Sequence, residues 1–363
     1  MASAGRSVPF VSTPRARELV DLAEAAAEPG APDRERLEAK LRDSIDELVA
    51  TLEQHLTSDP ATALRLTAAL GWLWQEIGRV DEGRRLTEQA IARSSGSPTP
   101  AFARSLLAAA ELAFRQGDQA AAEQNSLRAI DAGEAAGDAG AVGLAYVHLA
   151  RVAYRRGDAV LIEEHARRAL EVGGADVGAR RGGLHMLGWA AHTRGDLEGA
   201  RRRFEESLAF REALGDRYGV AVESANLGDL AVDEGDLGEG ARRLGDALVV
   251  ARELRSTYLV LNLLPSLAIV AARAAEDEAC ARLVGATEAL FEASGLIPDP
   301  GPWRTVAAEA VTRLGERFES LRAEGATLDE AAATNLGLRV AHSVADADPR
   351  PTYHAAERES NSR

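Results

Sequence analysis

The sequence predicts an all-α fold: an α-solenoid of about six antiparallel helix pairs, with helical caps at both ends. Three observations lead there. Aligned on its Gly-Asp turns, the chain reads "EIGRVDEGRRLTEQAI", "RQGDQAAAEQNSLRAI", "RRGDAVLIEEHARRAL", "TRGDLEGARRRFEESL", "DEGDLGEGARRLGDAL" and a worn sixth copy, "RAAEDEACARLVGATEAL". The turn residues Gly78, Gly117, Gly157, Gly195, Gly235 and Ala275 are spaced 39, 40, 38, 40 and 40 residues apart, and a fixed period in this range marks stacked supersecondary units. Apolar residues make up 46% of the chain but aromatics only 4%, so the core is built from Ala, Leu and Val, which suits closely packed helices. Finally, the apolar positions on either side of each turn recur at helical spacing, and the glycine stands where a first helix must end with positive φ.

The elements follow in order. Residues 1–13 read as a flexible N-terminus and 14–57 as an N-terminal helical cap. Within that cap, Asp33 is placed to start "RERLEAKLRDSIDELVATLEQHL", whose Leu37, Leu41, Ile45, Leu48, Leu52 and Leu56 form one apolar stripe. The repeats occupy 58–290 and open on Asp59 with Pro60, a helix start. Seven residues before each turn stands a small residue (Gly71, Ala110, Ala150, Gly188, Gly228, Ala268), and five after it another (Gly83, Ala122, Ala200, Gly240, Cys280), so paired helices can approach closely. Ile162 alone breaks that second column. The second turns fall at "AAGDA" (135–139) and "ALGDR" (213–217), and near Gly174 and Ser256. Pro265 lies inside the last first helix, where it is expected to kink the stack. Residues 291–340 read as a C-terminal helical cap in which Thr327-Leu328-Asp329-Glu330 has the pattern of a capping box. The polar, Pro-containing stretch 341–363 reads as a disordered tail.

Composition excludes several functions. A net charge of −15 opposes direct nucleic-acid binding, which depends on clustered cations. Lys40 is the only lysine, so the chain has no Walker-type phosphate loop and one residue at most for Schiff-base chemistry. No Gly-x-Ser-x-Gly elbow or dinucleotide fingerprint occurs. The single cysteine, Cys280, reads as a small core residue in a reducing compartment. With no signal peptide and no membrane-length apolar run, the expectation is a cytoplasmic protein that does not engage a membrane. Among the seven histidines, His185 and His192 share a helix face and His148 stands at similar height in the preceding repeat. They lack carboxylate or thiolate partners, so no metal and no cofactor is expected. The tripeptides Arg156-Gly157-Asp158 and Arg194-Gly195-Asp196 look like adhesion ligands, but they occupy the slot of Gln116-Gly117-Asp118 and read as turn punctuation.

First helices of such a stack line its concave surface, so positions 9, 6, 3 and 2 residues before each turn face a guest. These columns, with their neighbours, supply the candidate partner-binding residues Trp72, Glu111, Phe114, Arg115, His148, Arg151, Tyr154, Arg155, His185, Trp189, His192, Asn226 and Asp229. The middle of the surface is aromatic and cationic, the chemistry of interface hot spots, and it suits an acidic guest. The same side chains could instead pack between neighbouring repeats.

Leu-Gly in the first helix, Trp74 in its aromatic slot, Gly-Asp at the turn, and Ala followed by Phe204 in the second helix resemble the tetratricopeptide repeat. That resemblance implies a right-handed superhelix. The period of about 40 residues, the segment "LEAKLRDSIDELVATLEQHL" and the terminal "ARLVGATEALFEASG" and "RFESLRAEGATLDEAAATNL" resemble the long, MalT-like repeats in the C-terminal arms of LuxR-type and antibiotic-regulator-type ATP-binding transcriptional regulators. The resemblance covers residues 14–340 and lacks the ATPase and helix-turn-helix modules, so it implies a detached arm rather than the family's activities. It implies a non-enzymatic scaffold that binds a peptide or protein segment in its groove, in bacterial signalling or transcriptional control, acting on a separate ATPase or regulator. The alternative is a sensor whose groove takes a small molecule or short peptide.

Overall fold

The structure, a computed structural model, describes Val11 and residues 13–27 and 33–347. Nineteen α-helices and no strand occur among the described residues. They fall into two compact units, the first ending at Asp196 and the second beginning at Leu197.

In the first unit α1 (Thr13–Ala27), α2 (Arg34–Asp43) and α3 (Ile45–Ser58) precede the repeats. The first pair is α4 (Pro60–Leu70) with the short α5 (Leu73–Glu76), returning as α6 (Val80–Arg93). Then come α7 (Pro100–Arg115) with α8 (Gln119–Ala136), α9 (Ala139–Arg155) with α10 (Ala159–Val172), and α11 (Val177–Thr193). First helices pack on one another in series, α4 on α7, α7 on α9 and α9 on α11. Each second helix packs on its own partner and on the next first helix, as α8 does on α7 and α9. The second unit holds α12 (Leu197–Ala213), α13 (Arg217–Asp233), α14 (Leu237–Glu253), α15 (Thr257–Arg273), α16 (Asp277–Ser294), α17 (Trp303–Leu314), α18 (Arg317–Gly325) and α19 (Glu330–Asp346). Here α19 folds back to pack on α14, α15 and α16 rather than on the last pair alone.

The small-residue columns do what spacing implied. A Cβ on Gly71 would lie 2.7 Å from Ala108 Cβ, and one on Gly83 would overlap the Trp74 ring. Ile162, the exception, is fully buried in a cluster with Ala150, Ala153 and Ala166, whose short side chains leave room for it. The turns also behave as a ruler. Gly78, Gly117, Gly157, Gly195 and Gly235 all have positive φ, and the worn copy keeps the geometry with Ala275 at φ 59°. Asp118, Asp158 and Asp236 accept the N–H of Ala121, Leu161 and Glu239, capping the second helices. The second turns follow the same rule through Asp138, Asp176, Asp216 and Ser256. In the two Arg-Gly-Asp turns, Arg156 pairs with Glu123 at 2.6 Å and Arg194 with Glu163 at 2.5 Å, so both arginines tie neighbouring second helices to the turn.

The structure departs from the sequence reading at several helix ends. The helix expected across 34–56 breaks at Ser44 (φ −103°, ψ 14°). Asp33 caps nothing there; its carboxylate takes Arg36 at 2.5 Å instead. The first helix of the first repeat is likewise interrupted, at Gly71 and Trp72. Thr327 does not begin a capping box: its hydroxyl donates to Glu324 O, and Asp329 is the cap, accepting from Ala332 N–H. Helix α19 runs to Asp346, six residues into the stretch 341–363 expected as a tail, and Thr13 already belongs to α1. The remainder of both expected termini, 1–10, 12 and 348–363, lies outside the described residues. Pro265 sits buried inside α15, which runs unbroken from Thr257 to Arg273. No helix among the described residues is long and apolar enough to cross a membrane.

Candidate functional site

Helical spacing places Glu111 and Arg115 on one face of α7, and the stacking of first helices sets Gln75 of α5 on one side and α9 on the other. Arg115 Nε donates to Glu111 Oε1 at 2.7 Å and to Gln75 Oε1 at 2.9 Å. The other Glu111 oxygen accepts from Arg151 Nη1 at 2.5 Å. His148 Nδ1 lies 3.1 Å from that same oxygen, near enough to feel its charge but off the line of a hydrogen bond. Burial raises the Glu111 pKa, but Arg115 and then Arg151 outweigh it and hold the carboxyl well below the usual range. Burial lowers the pKa of His148; Glu111 opposes that shift and Arg151 and Arg115 reinforce it, so the imidazole is neutral at neutral pH.

One turn further along α9 and on the facing side of α11 lies an aromatic group. The Arg155 guanidinium carbon stands 4.2 Å from the Phe114 ring centroid. Tyr154 and Trp189 are 4.7 Å apart at 45°, and His192 meets Trp189 edge-on at 5.2 Å. Trp189 Nε1 donates to His185 Nε2 at 3.1 Å, which requires that nitrogen to be unprotonated. Arg151, Tyr154, Arg155, His185, Trp189 and His192 are all half-buried. Packing on their neighbours holds them in position, and the Arg151 side chain keeps 27% of its exposure.

The first unit therefore brings ten of the thirteen candidates onto three consecutive first helices. Their depth differs from the expectation. Glu111, Phe114 and Arg115 are buried, so they bind neighbouring helices together rather than lie open in a groove. Trp72 sits at the break between α4 and α5, where the Arg42 guanidinium of α2 covers it at 5.7 Å. Asn226 and Asp229 belong to the second unit, and buried Asn226 donates to Glu223 Oε2 at 3.0 Å.

That contact opens onto a cluster the sequence reading missed. Fully buried Glu223 also accepts from Ser207 at 2.7 Å and from Arg211 Nε at 3.0 Å, and Arg211 reaches Asp216 at 3.2 Å. A signal was present: Gly219, where a Cβ would collide with the Arg211 and Asp216 side chains. Among the described residues no three His, Cys, Asp or Glu side chains gather as metal ligands. The Cys280 thiol is buried, and burial with the nearby Asp277 charge pushes its pKa up to about 12, so it is a poor nucleophile at neutral pH.

No protein-family model matches this sequence, and no curated protein resembles it significantly. Solved structures do. A Rap protein crystallised in complex with Competence and Sporulation Factor superposes over 91% of this chain and 93% of its own, with TM-score 0.55 and 14% identity. The apo form of RapI (91% and 97% covered, TM-score 0.43, 11% identity) and aspartyl phosphate phosphatase F from Bacillus subtilis (93% and 96%, TM-score 0.41, 12% identity) are more distant in shape. At this identity the first similarity establishes the all-α fold and nothing about chemistry. That Rap protein is not a LuxR-type or antibiotic-regulator-type arm, and the resemblance to those arms rests on the repeat motifs alone.

Proposed function

We propose that this chain is a non-enzymatic interaction scaffold, working in the cytoplasm of a bacterium in signalling or transcriptional control. Its first-helix face around Arg151, Tyr154, Arg155, Trp189 and His192 binds an acidic peptide or an acidic segment of another protein. The observation that carries the reading is the state of Arg151. It spends one donor on Glu111 Oε2 and is fixed by it, while its side chain stays 27% exposed one turn of α9 before Tyr154, whose ring packs on Trp189. A guanidinium held by a buried carboxylate, with donors left over and aromatic surface next to it, is preorganised for a carboxylate, because little side-chain entropy remains to be lost on binding. The fold adds support, since the Rap protein of similar fold was solved with Competence and Sporulation Factor bound. A separate ATPase or regulator is the kind of protein partner the repeat motifs suggest.

The test is affinity capture from lysate of the source cell, with the captured polypeptide identified by mass. Native mass spectrometry of the purified protein runs beside it. A single polypeptide that competes with a synthetic acidic segment of itself supports the scaffold. A retained small molecule with no captured polypeptide would replace it with the sensor.

A further inference from the structure

We propose that Arg42 and Trp72, which stand beside the two helix interruptions, form a separate carboxylate-binding site near the start of the first unit. Arg42 lies in the last turn of α2, one residue before that helix ends at Asp43, and Trp72 lies between α4 and α5. The breaks at Ser44 and at Gly71–Trp72 are the ones that periodicity did not anticipate, and the residues beside them meet: the Arg42 guanidinium carbon stands 5.7 Å from the Trp72 ring centroid. This is cation–π range.

What marks the pair as a site is its hydrogen bonding. The Arg42 side chain is only 9% exposed, yet its Nε has no hydrogen-bond partner, and the Trp72 indole Nε1, also buried, has none either. Buried donors are rarely left so, and a buried guanidinium needs an acceptor most of all. Among the described residues the carboxylate in ion-pair reach of Arg42 is Glu38, at the outer limit of 4.0 Å. The other oxygen of Glu38 accepts from Arg34 Nε at 2.8 Å, so one carboxylate serves two guanidiniums. Glu38 thus leaves Arg42 without a carboxylate oxygen at hydrogen-bond distance. Two unpartnered donors, one on a planar guanidinium and one an indole N–H, suit a small planar acceptor such as a carboxylate, which can take a donor on each oxygen.

The site is independent of the Arg151 face, and the test keeps them apart. The intact protein, labelled with nitrogen-15, shows its indole N–H signals, and there are four tryptophans. Trp72→Phe, which keeps a ring and loses the N–H, identifies the relevant one. Sodium acetate, inorganic phosphate and sodium chloride are titrated at matched ionic strength. The expected result is a saturable shift of the Trp72 indole signal and of the Arg42 Nε–H with acetate, with chloride giving none. In Arg42→Lys, which keeps the charge but not the fork, acetate affinity falls roughly tenfold or more. Equal response to chloride, tighter binding of phosphate than of acetate, or an unchanged acetate response in a folded Arg42→Lys protein would each overturn the assignment. So would the absence of any saturable shift at Trp72.

Discussion

Ala275 holds the left-handed turn conformation that glycine holds in the other five copies, with φ 59°. A Cβ in that region costs about 1–2 kcal/mol, and the added freedom of the unfolded chain offsets about 0.4–1 kcal/mol of it, so Ala275→Gly should stabilise the protein by roughly 0.5–1 kcal/mol. Urea unfolding measures it, and a lower midpoint for the variant would show that the turn is not strained. At Glu111 the effect runs the other way. Glu111→Gln leaves Arg115 and Arg151 without their shared buried carboxylate, a loss of about 3–5 kcal/mol for a broken buried pair. The histidines set the first acid limb. Burial lowers the folded pKa values of both His148 and His165 below the ordinary histidine value of 6.5, so below that pH the unfolded chain binds more protons than the folded one. Stability is therefore full above pH 6.5 and declines as the pH falls through 6.5 towards the folded values. His148→Gln should flatten that limb, and unfolding midpoints at pH 7.5 and 5.5 will show whether it does. The repeat columns made these residues legible as a face. Their depth was not legible, because a column states the direction of a side chain and not which neighbouring helix covers it, as α5 and α9 cover Arg115 and Glu111.

Helix pairs were legible as elements because Gly-Asp recurs with one job, ending one helix and capping the next. The interruptions at Ser44 and at Gly71–Trp72 were hidden because the apolar stripe continues through both, and at Gly71 and Trp72 the backbone even keeps helical dihedrals. The cluster of Ser207, Arg211, Asp216 and Glu223 was hidden for a related reason: its members come from two helices joined by the second turn, which a search by columns of first helices passes over. Glycines again show where elements meet most closely. Gly285 of α16 and Gly325 of α18 face each other's backbones, and a Cβ on either would overlap the carbonyl of Arg322 or Arg282. Neither backbone can yield as a side-chain tip can. Gly325→Ala should therefore cost about 3 kcal/mol or more and raise hydrogen exchange in α18 and α16 first. Exchange unchanged from the wild type would show that the crossing is looser than its geometry.

For the molecule as a whole, a net charge of −15 means that an acidic partner is repelled at long range and must be drawn to a local cationic face. The association should then weaken as salt screens Arg151 and Arg155, by a modest factor between 50 and 500 mM salt, because the aromatic contacts persist. The most direct measurement is paired capture from one lysate by the wild-type protein and by an Arg151→Ala, Trp189→Ala double variant whose helicity is verified by circular dichroism. Capture of a polypeptide by the wild type, reduced at least tenfold in the folded variant, is the expected outcome. Equal capture of that polypeptide by both proteins would contradict a binding face built on Arg151 and Trp189.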